Sequence, residues 1–198
     1  PIGGPYRHAV LGYLAPITGP VGETVPTGSL GEYLRAADGT PLHTGMLAGA
    51  GTIRAAIAGY ACPTLDQSQL RAVQKALEGA LEEGALGVSL GLGYAPECFY
   101  TTEELIAVLS VLRGANIPVT VHMREEGDAV CDALEEMLTV ARRLQIPVHI
   151  SHLKAMGRRN WGEKIPRAIA LMDRAREEGL EVSCDVYPYT AGSTQLIH

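Results

Sequence analysis

Two histidines, His122 and His152, stand at the ends of short apolar runs, IPVTVH and QIPVHISH, thirty positions apart. Asp128–Leu144 lies between them and has helical periodicity. A strand-helix-strand unit of this length makes the two strands parallel. Parallel neighbours bring their C-terminal ends to one edge of the sheet, so both imidazoles are expected to face one crevice. Two readings follow from that placement. The pair is half of a metal site, or two unrelated strand-end histidines held by hydrogen bonds.

Other residues able to do chemistry follow the remaining apolar runs. Tyr94, Glu97 and Cys98 come after Leu90, and Arg124, Glu125 and Glu126 come after His122. Lys154, Arg158, Asn160 and Trp161 follow His152, and Tyr187, Tyr189, Ser193 and Thr194 follow Asp185. The connections at the opposite ends (EEG, ANI, LQI) are short and plain. Function therefore belongs at the C-terminal edge of the strands.

The elements that must position these residues repeat as strand, helix, strand. Strands are expected at Leu42–Leu47, Leu86–Leu90, Ile117–His122, Gln145–His152 and Glu181–Asp185. Helices are expected over Asp66–Glu83, from Thr102 to about Arg113, over Asp128–Leu144 and over Ile165–Glu178. Leu70, Val73, Leu77, Ala80 and Leu81 give the first of these helices a 3.6-residue apolar face. No hairpin turn joins the strands, which is the pattern of a parallel α/β architecture. Residues 1–41 read as a loop-rich segment with turns at PIGGP, APITGPVGE and VPTGS, plus one short helix near Ser29–Ala37. The AGAGT stretch reads as a Gly-rich loop.

Five strands allow either an open doubly wound sheet or part of a (β/α)₈ barrel, since a closed barrel takes about 250 residues. GLGYAP has two of the three glycines of a dinucleotide fingerprint, and a P-loop is absent. Thr120 and His122 share one face of their strand while Val119 and Val121 share the other. A polar inner row backed by an apolar outer row favours the barrel.

Composition narrows the function classes. The chain of 198 residues is 46% hydrophobic and 19% charged, as in ordinary globular domains. Sixteen Lys and Arg against 22 Asp and Glu give a net charge of −6, which argues against a nucleic-acid partner. No run is long and apolar enough for a membrane span, and PIGGPYRHAV lacks the pattern of a signal peptide. The four cysteines form no C-x-x-C pair, and a reducing cytoplasm without disulfides is expected. Cys131 and Cys184 fall inside regular segments, as small apolar residues do, whereas Cys98 lies in a loop on the active face.

Four blocks, GxxYxPxxxxTTEEL, HMREEG, SHLKxMGxxNWG and DVYPYTAGST, resemble the N-acyl-D-amino-acid deacylases (D-aminoacylases) of the amidohydrolase superfamily. The similarity runs from about Gly49 to the end of the sequence. It implies an α/β fold, a partial (β/α)₈ TIM barrel of the metal-dependent hydrolase type, with residues 42–198 forming about strands three to seven. It also implies zinc as cofactor, with His122 and His152 as metal ligands. Tyr94, Lys154, Tyr187 and Ser193 fall where the family holds the carboxylate of the acylated amino acid. The implied reaction is zinc-dependent hydrolysis of the amide bond of N-acyl-D-amino acids. A dihydroorotase-like cyclic amidase and a non-catalytic anion-binding α/β module are the alternatives. The expected partner is the small-molecule substrate, with neither nucleic acid nor membrane.

The sequence departs from the family in specific places. It has no H-x-H pair, no cysteine ligand after a second strand and no catalytic aspartate on an eighth. Asp185 belongs to the seventh strand, so the general base is expected outside this chain. Gly49-Ala50 stands where the family has a histidine, and the strand at Leu86–Leu90 lacks the lysine of hydantoinase-like relatives. The chain is therefore expected to be part of a larger enzyme and inactive by itself. Glu125 and Glu126 read either as partners that orient the imidazoles or as exposed carboxylates at a helix N-terminus. Trp161 reads as a wall of the acyl pocket or as a lid on the barrel rim.

Overall fold

A computed structural model describes residues 4–22 and 24–194. Residues 1–3, Glu23 and 195–198, which fall within the two segments drawn from the sequence, lie outside the described residues. Five strands, β1 (Ala48–Gly49), β2 (Val88–Gly91), β3 (Val119–His122), β4 (Val148–Ile150) and β5 (Val182–Cys184), form one sheet. All neighbours are parallel, and the spatial order is the chain order, β1-β2-β3-β4-β5. A doubly wound sheet reverses direction at a switch point, and this sheet does not. The order is that of an open arc of a barrel wall.

Valine and isoleucine build the outer face. Val88, Leu90, Val119, Val121, Val148 and Ile150 are all buried against the helices. The inner row runs across the sheet in register as Gly49, Ser89, Thr120, His149 and Ser183. Helices α3 (Ala50–Ala58), α4 (Gln67–Glu82), α5 (Thr102–Leu109), α6 (Val130–Leu144) and α7 (Lys164–Glu177) pack side by side in chain order. Asp66 opens α4 with a capping box to Gln69, and Thr101 opens α5 with one to Glu104. On α6 the apolar stripe is fully buried, including Leu134, Met137, Leu138 and Leu144. That burial fixes how β3 and β4 deliver their ends to the site.

Four expectations need correction. The first strand is Ala48–Gly49 rather than Leu42–Leu47, and the AGAGT stretch is no loop but that strand followed by the start of helix α3. Its glycine is there for space: a Cβ on Gly51 would lie 2.2 Å from Glu97 Oε2. Residues 1–41 also hold a second helix, α1 (Arg7–Thr18), beside the expected short one, α2 (Leu30–Ala36). Gly12 and Pro16 hide α1 from periodicity, yet Val10 is buried and Tyr13 meets Tyr60 with ring centroids 4.5 Å apart. Lastly, Cys184 is exposed, although Cys131 is buried as a small apolar residue would be.

Candidate metal centre and substrate cleft

His122 is the last residue of β3, and the pleat turns it to the inner face with Thr120. His152 lies two residues beyond β4 and reaches the same point by a different route. Its backbone turns left-handed, with φ at +43°. Histidine enters this region more readily than most side chains, but it remains uncommon. The two imidazoles meet with ring centroids 4.7 Å apart and His122 Nδ1 3.1 Å from His152 Nε2. The shared crevice inferred from parallel strands is present.

The Tyr94 ring meets His122 at a tilt, with centroids 4.6 Å apart, and its hydroxyl is 2.9 Å from Thr194 Oγ1. Gly93 leaves room for this arrangement, since a Cβ there would lie 2.8 Å from His122 Nε2. Lys154 enters the crevice from the loop after β4. Its Nζ lies 3.0 Å from His152 Nδ1 and donates to the His152 carbonyl at 3.1 Å. The Tyr187 ring centroid is 5.7 Å from the same ammonium.

Glu126 separates the two readings of the paired carboxylates. It is 6% exposed, and Oε1 lies 2.8 Å from His152 Nδ1 and 2.6 Å from Lys154 Nζ. Glu125 instead accepts from the Gly127 N–H in its own loop at 2.5 Å. Arg124 braces this loop from behind, bidentate to Glu136 and donating to the carbonyls of Cys98 and Tyr100.

All six residues singled out from the sequence, His122, His152, Tyr94, Lys154, Tyr187 and Ser193, line one cleft of about 410 Å³ together with Glu126. A larger cavity of about 670 Å³ shares Tyr94, Ser193 and Thr194 with it but holds no imidazole. That second space contains Tyr13, Tyr60 and Glu97. Burial pushes the Glu97 carboxyl up to about 7, against the Gly91 N–H and the Arg54 charge. Trp161 is exposed beside Met156 and Tyr189 and touches neither imidazole group of the cleft.

His122, Glu126 and His152 each offer one ligand atom, and these atoms lie within 4.8 Å of one another. Two nitrogens and one carboxylate oxygen are a donor set suited to zinc. Sequence reasoning had the two histidines but not Glu126 as a third donor, because its approach depends on how two loops fold together.

No protein-family model matches the chain. Individual relatives do. D-aminoacylase of Alcaligenes xylosoxydans xylosoxydans is 38% identical over 170 residues, covering 83% of this chain and 34% of that protein. N-acyl-D-glutamate deacylase of the same organism is 42% identical over 127 residues, 64% of this chain and 26% of that protein. Among solved structures, a D-aminoacylase described as defining a novel subset of amidohydrolases superposes with a TM-score of 0.77 at 35% identity, covering 83% of this chain and 35% of that one. The chain belongs to the D-aminoacylase family of amidohydrolases.

N-acyl-D-glutamate deacylase from Bordetella bronchiseptica, solved with zinc and a phosphonate mimic of the tetrahedral intermediate, superposes with a TM-score of 0.78 at 34% identity over 85% of this chain. The chain spans about a third of the length of the D-aminoacylase relatives it matches. Within that third, the D-aminoacylase resemblance and the cleft coincide: the four matched blocks supply its lining. Asp185, in the last of those blocks, sits just past β5 and does not line the cleft. Its Oδ1 accepts the His152 N–H at 2.5 Å and its Oδ2 the His149 Nε2–H at 2.8 Å. The His149 hydrogen bond, followed by that from His152, holds its carboxyl below the usual carboxylate range.

Proposed function

We propose that the whole protein hydrolyses the amide bond of N-acyl-D-amino acids with zinc, and that residues 42–198 supply about strands three to seven of its barrel. The observation that carries this reading is one cleft lined by His122, His152, Lys154, Tyr94, Tyr187 and Ser193. In it, His122, Glu126 and His152 hold the metal. Zinc held there would polarise the amide carbonyl as a Lewis acid and lower the pKa of the attacking water toward about 7.

The remaining residues bind and orient. With Glu126 committed to the metal, the Lys154 ammonium is left to pair with the open carboxylate of the substrate. Tyr187 and Ser193 donate hydroxyl hydrogen bonds to the same carboxylate, and Tyr94 walls the cleft, its ring tilted against His122. The deacylases that the chain resembles act on linear N-acyl amino acids, which favours linear over cyclic amides. The general base is assigned to an aspartate outside this chain. We read the protein as cytoplasmic, with a small-molecule substrate and neither nucleic acid nor membrane as partner. Four free cysteines and a net charge of −6 support that, and among the described residues no helix is long and apolar enough to cross a membrane.

The test is purification of the full-length protein, metal analysis, and assay against N-acetyl-D- and N-acetyl-L-amino acids alongside a cyclic amide. Zinc content together with turnover of the linear D substrates is the expected result. A metal-free protein, or preference for the cyclic amide, overturns the reading.

A further inference from the structure

His152 presents its ring to His122 only because its backbone is left-handed, and one residue surrounds that turn. Asp185 Oδ1 accepts the His152 N–H at 2.5 Å, and the Asp185 carbonyl accepts the Leu153 N–H at 2.9 Å. The Asp185 N–H in turn donates to the Ile150 carbonyl at 3.1 Å. Three contacts from one residue thus bracket residues 150–153, where β4 ends and the chain reverses hand. The carboxylate is itself steered. His149 Nε2 is 2.8 Å from Asp185 Oδ2, and His149 Nδ1 is 2.8 Å from Ser183 Oγ. The ring is thus held at both nitrogens, between Ser183 and the Asp185 carboxylate.

We infer that Asp185 is a positioning residue for His152: its carboxylate, fixed by His149, holds the 152 peptide in the left-handed conformation that brings the imidazole into the metal centre. The inference rests on the reading of His152 as a metal donor, made above. Asp185 itself does not line the cleft and acts through the His152 peptide. Without its acceptor, the His152 backbone relaxes toward an extended conformation, and the ring leaves its place beside His122.

The test uses the full-length protein and measures zinc affinity by chelator competition, with thermal unfolding followed in parallel. Asp185→Ala is expected to weaken zinc binding about tenfold or more, the usual cost of losing a partner that orients a ligand. Asp185→Asn keeps an oxygen for the His152 N–H and is expected to bind zinc close to wild-type. A second measurement separates positioning from general stability. In a His152→Gly background the left-handed backbone is free of strain, so Asp185→Ala should lower the melting temperature less than it does with His at 152. An equal loss in both backgrounds, or zinc affinity unmoved by Asp185→Ala, overturns the inference. If His152→Gly itself leaves zinc affinity unchanged, the metal reading fails, while the unfolding comparison still decides what Asp185 does.

Discussion

Lys154 and Glu126 form an ion pair across two neighbouring loops, with Nζ 2.6 Å from Oε1 and only 6% of the carboxylate side chain exposed. The lysine is therefore tied into the site before any substrate arrives. Lys154→Met in the full-length enzyme should raise KM for N-acyl amino acids by an amount equivalent to about 1.5–3 kcal/mol, the worth of a hydrogen bond to a charged group. A carboxamide analogue should be nearly indifferent to the change. In the zinc-free protein the same substitution strands a buried carboxylate and should lower the melting temperature, with part of the loss recovered by adding Glu126→Gln. Equal losses for acid and amide substrates would place Lys154 in the fold rather than in recognition.

Glu126 faces both the ammonium and His152, and metal binding separates the two roles. If it completes a three-donor set, Glu126→Gln should reduce zinc affinity at least tenfold, on the order of one lost donor contact, and His122→Ala should reduce it further. Chelator competition on both variants measures this. Wild-type affinity in Glu126→Gln would confine the residue to its pair with Lys154.

Gly93 gives a steric test of where the His122 ring must lie. An alanine Cβ would come within 2.8 Å of His122 Nε2 and 3.1 Å of Cδ2, so the ring has to move. Gly93→Ala should leave the melting temperature almost unchanged while lowering zinc affinity about tenfold, as displaced ligands do. Retention of full affinity would show that the ring tolerates the shift.

Glu97 sets a pH dependence of stability. Its folded pKa, pushed up to about 7, lies above the ordinary 4.5, so in that window the folded protein keeps a proton the unfolded chain has lost. Stability attributable to this group therefore falls as pH rises from 4.5 to 7, by about 3 kcal/mol in all. Urea unfolding across that range should show the decline, and Glu97→Gln should flatten it. An unchanged slope in the variant would mean that Glu97 is ionised throughout.

Much of the barrel arc was legible because its signals are local. The apolar face of α4, the periodicity of α6 and the alternation Val119-Thr120-Val121-His122 each reveal themselves within a few residues. Helix α3 was not, since Gly49 and Gly51 look like loop residues until Glu97 is seen occupying the space beside Gly51. The meeting of His122 and His152 followed from parallel pairing. Strand parity with His152 would carry Lys154 into the crevice, yet the strand has ended at Ile150 and a left-handed turn intervenes, so the lysine arrives by another path. Contacts such as Glu126 with Lys154, or Asp185 with the His152 peptide, join loops from different strands, and no spacing in the sequence encodes them.

The coincidence of strand order with chain order bears on how such a sheet is made. As the chain leaves the ribosome, each strand after β1 appears beside a neighbour that has already been synthesised. The pairing of β1 with β2 closes a connection of two helices and each later pairing a connection of one, which keeps contact order low for a parallel sheet. Growth proceeds in one direction, and a translational pause after any helix leaves a single advancing edge rather than several strands waiting for partners.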